Sequence, residues 1–203
     1  MDADDVALPT RLQAQVRFLD AHPEIGIVGT ARELMDERGK FIWVATPPLE
    51  DQAIRWHCLL GNPFAHPTVM IRRDLLSVNR LRYDEQFQTA QDYEFWTRLL
   101  QRTRGANLAE PLLRYRLRDG GISRSRRDEQ LANHDQISLR AIRRLVPGFD
   151  ITLEDVSELR SRFGGNSVRD QSKDATDPRW INEHQRLRDA FASEQTNHTR
   201  AAA

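Results

Sequence analysis

The run Ile25-Gly26-Ile27-Val28-Gly29 is continuous and apolar, bounded upstream by His22-Pro23. It is short and apolar throughout, so it predicts a buried strand. The flanking sequence supplies elements to pack around it. Upstream, Pro9 opens a helix where its missing N–H costs nothing. Leu12, Val16 and Leu19 then recur at helical spacing, with Arg11, Gln13, Gln15 and Arg17 between them. His22-Pro23 ends that helix. Downstream, residues 31–46 read as two strands around a turn at Glu37-Arg38-Gly39, with Phe41 to Val44 in the second.

The alternation continues. Residues 49–60 predict a helix carrying Ile54, Trp56, Leu59 and Leu60, broken by Gly61-Asn62-Pro63. Thr68-Val69-Met70-Ile71 is a β-type run leading into a short helix. Residues 91–102 predict a helix with Tyr93, Trp96, Leu99 and Leu100. Leu112, Leu113 and Tyr115 predict a last strand before a Gly120-Gly121 turn, and 125–145 a final long helix. Strands alternating with helices place this part in the α/β class. The expected organisation is a domain over 1–145, a short helical extension over 146–163, and a polar linker with a mostly disordered tail over 164–203, in which Trp180 to Phe191 reads as one isolated helix.

Composition narrows the function. The 30 Lys and Arg balance the 30 Asp and Glu, which argues against a general nucleic-acid binder. Cys58 is the single cysteine, so no intrachain disulfide forms. It lies beside Leu59 and Leu60 and reads as a core residue rather than a nucleophile. No apolar stretch is long enough to span a membrane. The start Met1-Asp2-Ala3-Asp4-Asp5 is too acidic for a signal peptide. A cytoplasmic protein is expected, and peripheral attachment to a membrane surface is compatible with it.

Three segments could carry chemistry. Asp2 and Asp4, one residue apart, project the same way from an extended segment and suit a hard divalent cation, Mg²⁺ or Mn²⁺. Short acidic clusters followed by Pro and a helix are more often surface turns or N-caps. Asp92, in Gln91-Asp92-Tyr93-Glu94-Phe95-Trp96, is either an N-terminal dipole partner or a general base. Arg116 and Arg118 offer planar donor forks to phosphate, or a solvated strand end. His66, between Pro63 and Pro67, reads as a loop residue. The six histidines have no short zinc-ligand spacing.

Taken in order, these motifs resemble the family 2 glycosyltransferases of the GT-A fold. The resemblance runs from Asp2-Ala3-Asp4-Asp5 and the Pro9-initiated helix through Pro23-Glu24-Ile25-Gly26-Ile27-Val28-Gly29. It continues with Asn62-Pro63-Phe64-Ala65-His66-Pro67-Thr68, Tyr83-Asp84-Glu85, Gln91-Asp92-Tyr93-Glu94-Phe95-Trp96 and Tyr115-Arg116 with Ser123. It covers roughly 1–145. It implies an inverting transfer of sugar from a nucleotide-sugar donor to a glycan or other hydroxyl acceptor. Asp2 and Asp4 match the Asp-x-Asp motif that contacts the sugar nucleotide, partly through a divalent cation. Asp92 matches the catalytic base. Trp96 and His66 match acceptor-side positions. Gln91 stands where the family often has an acid, and Arg118 where it often has a His. Arginine cannot ligate a metal but offsets phosphate charge.

The family's nucleotide-binding strand–helix repeats precede the Asp-x-Asp motif, and this sequence starts at that motif. The expectation is an incomplete GT-A fold, inactive alone and lacking the strand that would aim Asp2 and Asp4. A complementing N-terminal chain would make it one half of a two-chain transferase. The alternative is a non-catalytic interaction module.

Overall fold

The computed structural model of the chain describes residues 3–78, 81–118, 126–164 and 175–201. Its α/β architecture divides into two compact units. One comprises 1–55 with 63–127, the other 56–62 with 128–203. The division differs from a boundary at 145, because the long helix after the last strand belongs with the second unit.

The first unit is a mixed sheet with short helices. Its strands are β1 (Val6–Ala7), β2 (Ile25–Met35), β3 (Phe41–Ala45), β4 (Met70–Ile71) and β5 (Arg104–Arg116). The buried apolar run is the first half of β2, whose residues from Ile25 to Ala31 are all buried. One side of β2 pairs in parallel with β5. The other side is shared: Ile27 and Val28 pair with β4, and Arg32 to Met35 with β3, both antiparallel. β1 adds to the far side of β5 through Val6↔Arg114 and Ala7↔Leu113. The β2–β3 turn falls at the expected residues. Asp36 Oδ1 accepts from the Arg38 and Lys40 amides at 2.9 and 2.8 Å, and Gly39 adopts φ 84°, which a side chain would resist. Phe41, Ile42, Trp43 and Val44 of the edge strand β3 are all exposed.

Helix α1 (Arg11–Ala21) differs from its sequence pattern. Leu12 and Val16, expected to face the core, are 66% and 47% exposed. The buried stripe is Arg11, Gln15 and Leu19, spaced i, i+4, i+8. The reason is polar. Gln15 Nε2 donates to the Val28 carbonyl at 3.1 Å and to the Thr68 carbonyl at 2.8 Å, while its Oε1 accepts from Arg11 Nε at 3.1 Å. Its full hydrogen-bonding demand is met inside the unit, so the amide is buried without penalty. Leu19 packs with Ile25, Val28 and Ala106 beneath it.

Helices α2 (Asp51–His57), α3 (Arg73–Val78) and α4 (Gln91–Leu99) follow the predicted order. The Thr68–Ile71 run is mostly not strand. His66–Thr68 forms a single 3-10 turn and only Met70–Ile71 pairs. Asp51 Oδ1 accepts from the Gly105 amide at 2.9 Å, tying α2 to the start of β5. Asn107 Nδ2 donates to the Pro48 and Pro63 carbonyls, at 2.7 and 3.3 Å. A side chain on Gly29 would meet Asn107 Oδ1 at 2.1 Å, so that β2 position must be glycine.

The second unit is helical: α5 (Arg127–Leu145), α6 (Leu153–Phe163) and α7 (Pro178–Ala201). A capping box between Thr152 and Asp155 starts α6. The helix expected over 180–191 is present but longer, the 24-residue α7, which takes in closing residues expected to be disordered. Trp180, Leu187 and Phe191 enter a core with Leu59, Ile142, Val156 and Leu159, which is enough apolar burial to order a long, charged helix. The arginines of 162 and 179 lie over the Trp180 ring. Cys58 is buried as expected. Arg160, fully buried, is held by the Leu60 carbonyl and an ion pair with Asp135. The Gly120-Gly121 turn, Ser123 and much of the predicted linker lie outside the described residues.

Two predictions follow from this packing. Gln15→Leu leaves two buried carbonyls and Arg11 Nε without their partner, and should cost about 2 kcal/mol. Leu12→Ser and Val16→Ser should each stay within about 0.5 kcal/mol of the wild type. Urea denaturation separates the two faces, and the opposite ranking would restore the apolar stripe as the buried one. The second concerns acid. Burial, and then Arg160, push the His134 imidazole from 6.5 down to about 3. Burial also lowers His57, and burial with Arg188 lowers His184. The unfolded chain therefore takes up these protons first as pH falls. Stability is full above the usual histidine range and is lost as pH drops from 6.5 toward 3. His134→Gln should flatten that slope in thermal melts between pH 7 and pH 4.

Candidate active site

Two groups of predicted residues are assembled within the first unit. The first surrounds the N-terminal segment. Arg116, the last residue of β5, ties two other segments to that strand, the N-terminal one and the β2–β3 turn. Its Nε donates to the Asp4 carbonyl at 3.3 Å, and its Nη1 to the Asp36 and Glu37 carbonyls at 3.3 and 2.9 Å. Its amide donates to Asp5 Oδ1 at 3.2 Å. Arg118 Nε lies 2.5 Å from Asp4 Oδ2. Ala3, Asp4, Asp5, Val6, Glu37, Arg116 and Arg118 line an open cleft of about 760 Å³.

The segment after Asp4 is secured from its C-terminal side by β1 and Arg116. Asp5, which the sequence offers as part of a surface turn or a helix N-cap, is the buried member of the cluster and lies in the field of Arg11 and Arg32. Burial lowers the affinity of both guanidinium groups for their protons, and Asp5 opposes that effect at each. Asp2 lies outside the described residues.

The second group surrounds the start of α4. Its N-cap, Ala90, sits at φ 59°, ψ 19°, the left-handed region that a non-glycine residue avoids. Such strain, about 1 kcal/mol or more, is characteristically held where the chain must be aimed. Gln91 and Asp92, both half-buried, follow at once. Trp96, one turn later, is fully buried. The His66 and Trp96 rings meet edge to face with centroids 6.1 Å apart. Tyr83 joins the set. Its hydroxyl is 3.3 Å from His66 Nε2, and its ring packs on Phe95 at 4.9 Å. Burial raises the Tyr83 phenol's pKa, and the nearby Asp92 carboxylate raises it further. His66 and Asp92, from distant parts of the sequence, thus both lie by Tyr83, and Trp96 joins them through the His66 ring.

Comparison with known proteins bears on the class of the chain. The chain is 35% identical over 128 residues to the O-antigen biosynthesis glycosyltransferase WbnJ of Escherichia coli, covering 62% of this chain and 49% of that protein. It is 30% identical over 128 residues to the amylovoran biosynthesis glycosyltransferase AmsE of Erwinia amylovora, covering 62% and 47%. An uncharacterized glycosyltransferase of Methanocaldococcus jannaschii is 29% identical over 133 residues, covering 64% and 45%. The chain is related to glycosyltransferases. It spans about half the length of the curated relatives it matches. No family model matches it.

For a glycosyltransferase-related chain the cation question bears on the first cleft. Among the described residues no three His, Cys, Asp or Glu side chains group as a metal site. Mg²⁺ and Mn²⁺ commonly take only one or two carboxylates, with phosphate and water completing the shell. Asp4 fits that donor set in kind, on condition that it leaves or shares Arg118. No helix among the described residues is long and apolar enough to cross a membrane.

The sequence reading assigned no role to Glu94, Arg98 or Tyr83. Glu94 is buried and takes two bonds from Arg98, Nε to Oε1 and Nη2 to Oε2, each 2.7 Å. Arg98 Nη2 also donates to the Arg82 carbonyl at 2.7 Å. The i, i+4 spacing of Glu94 and Arg98 was the available signal, since it puts both on one helix face. The clasp fixes the backbone next to Tyr83. Arg98→Met should therefore destabilise the unit by about 2 kcal/mol, below the full cost of breaking a buried pair because Arg98 is partly exposed. It should also raise amide hydrogen exchange at 82–84. Unchanged exchange there would show that the clasp does not hold Tyr83.

Proposed function

We propose that this chain is the acceptor-side part of an inverting, family 2-type glycosyltransferase of the GT-A fold, with Asp92 as the general base. The observation that carries the reading is the convergence at the start of α4. Asp92 lies near enough to Tyr83 to raise its phenol's pKa, Tyr83 bonds His66, and His66 faces Trp96. Similarity to curated glycosyltransferases supports the reaction class.

In this reading a hydroxyl of the glycan or other acceptor lies beside Trp96, His66 and Gln91. Asp92 takes its proton as the oxygen attacks the anomeric carbon of the donor sugar from the face opposite the leaving diphosphate. Attack from that face inverts the configuration. Arg116 and Arg118 offset the diphosphate charge. Asp2 and Asp4 would hold a Mg²⁺ or Mn²⁺ ion, which supplies charge neutralisation to the leaving group. The nucleotide of the donor is held by a strand–helix segment outside these 203 residues, in the same or a complementing chain. The 203 residues alone are inactive.

The test joins this chain to the strand–helix nucleotide-binding repeats of a relative, covalently or as a mixed second chain, and assays transfer from a panel of nucleotide sugars. The joined protein should transfer sugar with inversion. Asp92→Asn should lower kcat by about 100-fold or more with little change in KM. An active joined protein that is indifferent to Asp92→Asn would remove the assigned base. A joined protein that folds, has no transfer activity and binds a partner would favour the interaction-module alternative.

A further inference from the structure

At the opposite end of β5 lies a second cleft, of about 440 Å³, that the proposed reaction does not use. Its lining includes four arginines, Arg55, Arg72, Arg102 and Arg104, against one acid, Glu24. β5 is 13 residues long, so Arg104 and Arg116 stand at its two ends, roughly 40 Å apart at about 3.3 Å per residue.

The arginines differ in their commitments. Arg72 bonds only carbonyls: Nε donates to Ile25 at 2.8 Å, and Nη2 to Leu19 and to His22. It caps the C-terminus of α1, yet no carboxylate neutralises it. Arg55 Nε donates to Asp51 Oδ2 at 2.8 Å and Nη2 to the Thr103 carbonyl at 3.0 Å. Neither uses its Nη1 within the described residues. Arg102 and Arg104 are exposed, and among the described residues their side chains bond to nothing. Asp51 balances Arg55 and Glu24 offsets one more charge, which leaves two uncompensated guanidinium groups around a concave surface. The C-terminal end of α4 adds a partial negative charge nearby, worth at most about half an elementary charge. A net positive, concave, donor-rich surface of this kind is built for an oxyanion that accepts several forked hydrogen bonds.

We propose that this cleft binds a phosphate- or diphosphate-bearing ligand. Arg102 and Arg104 supply the mobile contacts, and Arg55 and Arg72 the fixed positive floor. The phosphate could belong to a soluble molecule or to a lipid headgroup, and two probes distinguish them. Inorganic pyrophosphate is titrated calorimetrically against the full chain. In parallel, the chain is sedimented with phosphatidylcholine vesicles with and without phosphatidic acid. Arg102→Ala/Arg104→Ala should keep its fold, since neither side chain has a partner to lose, and circular dichroism checks this. Arg38→Ala/Lys40→Ala, in the exposed β2–β3 turn, removes the same charge elsewhere.

Saturable pyrophosphate binding weakened by about tenfold or more in the Arg102/Arg104 variant, and kept in the control, supports the soluble ligand. Vesicle binding that requires phosphatidic acid, with the same dependence on the two variants, supports the headgroup. Pyrophosphate taken up by the Arg116–Arg118 cleft as well would give a two-site isotherm from which the variant removes one site. Absence of binding to both probes, equal loss in the control, or an isotherm unchanged in the Arg102/Arg104 variant would overturn the proposal.

Discussion

The buried amide of Gln15 is the constraint on which the first unit depends. It sits where helix, strand and loop meet, and it is satisfied by all three. Its donor group holds the carbonyl of Val28 in β2 and that of Thr68 in the 3-10 turn, while its oxygen restrains Arg11. Thr68 passes the constraint on, because its hydroxyl accepts from the Thr30 amide and donates to the Ala65 carbonyl. The loop carrying His66 is thereby fixed to the middle of β2, in the stretch between its pairings with β4 and β3. Arg11 in turn lies in the field of Asp5, beside the Arg116 cleft. A single side chain thus ties down the loop that carries His66 and restrains the arginine that feels Asp5.

Much of the first unit could be read from the sequence. The apolar run of β2, the Asp36–Lys40 turn and the α4 helix all follow from period, turn chemistry and breakers. The face of α1 could not. Leu12 and Val16 carry the apolar signal, whereas the residues that bury are chosen by hydrogen bonds to segments 13 and 53 positions away. Periodicity weighs hydrophobicity and is blind to a polar side chain whose partners all lie inside. The tail was legible in part. Trp180, Leu187 and Phe191 are spaced to one helical face, which marks a helix in the sequence, but the core they enter in the second unit is visible only in the structure. That burial carries the helix on into polar residues that composition alone assigns to disorder.

The candidate site divides in the same way. Asp92, Trp96, His66, Arg116 and Arg118 were visible as motif residues, and the structure brings them into two clusters. Tyr83 stood in a quoted motif without a role, although it is the residue that connects Asp92 to His66. The Glu94–Arg98 clasp was hidden because an i, i+4 ion pair on a helix is usually a surface detail. Here Glu94 is buried, and the spare donor of Arg98 reaches across to the chain before Tyr83. Motif residues carry the chemistry, but the contacts that aim them come from neighbours whose identity only a packed structure explains.

β5 bears arginines at both ends, one set at each cleft, and along its length it pairs in parallel with β2. Side chains alternate between faces of a strand, so sliding it by one residue would turn both ends over together. The pairing already passes three register shifts, between Ile25 and Ile27, Thr30 and Ala31, and Ala31 and Glu33, where the alternation is broken and an added or lost residue can be absorbed. A length change taken up at one of those shifts would alter one cleft, whereas a slide of the whole strand would turn over both.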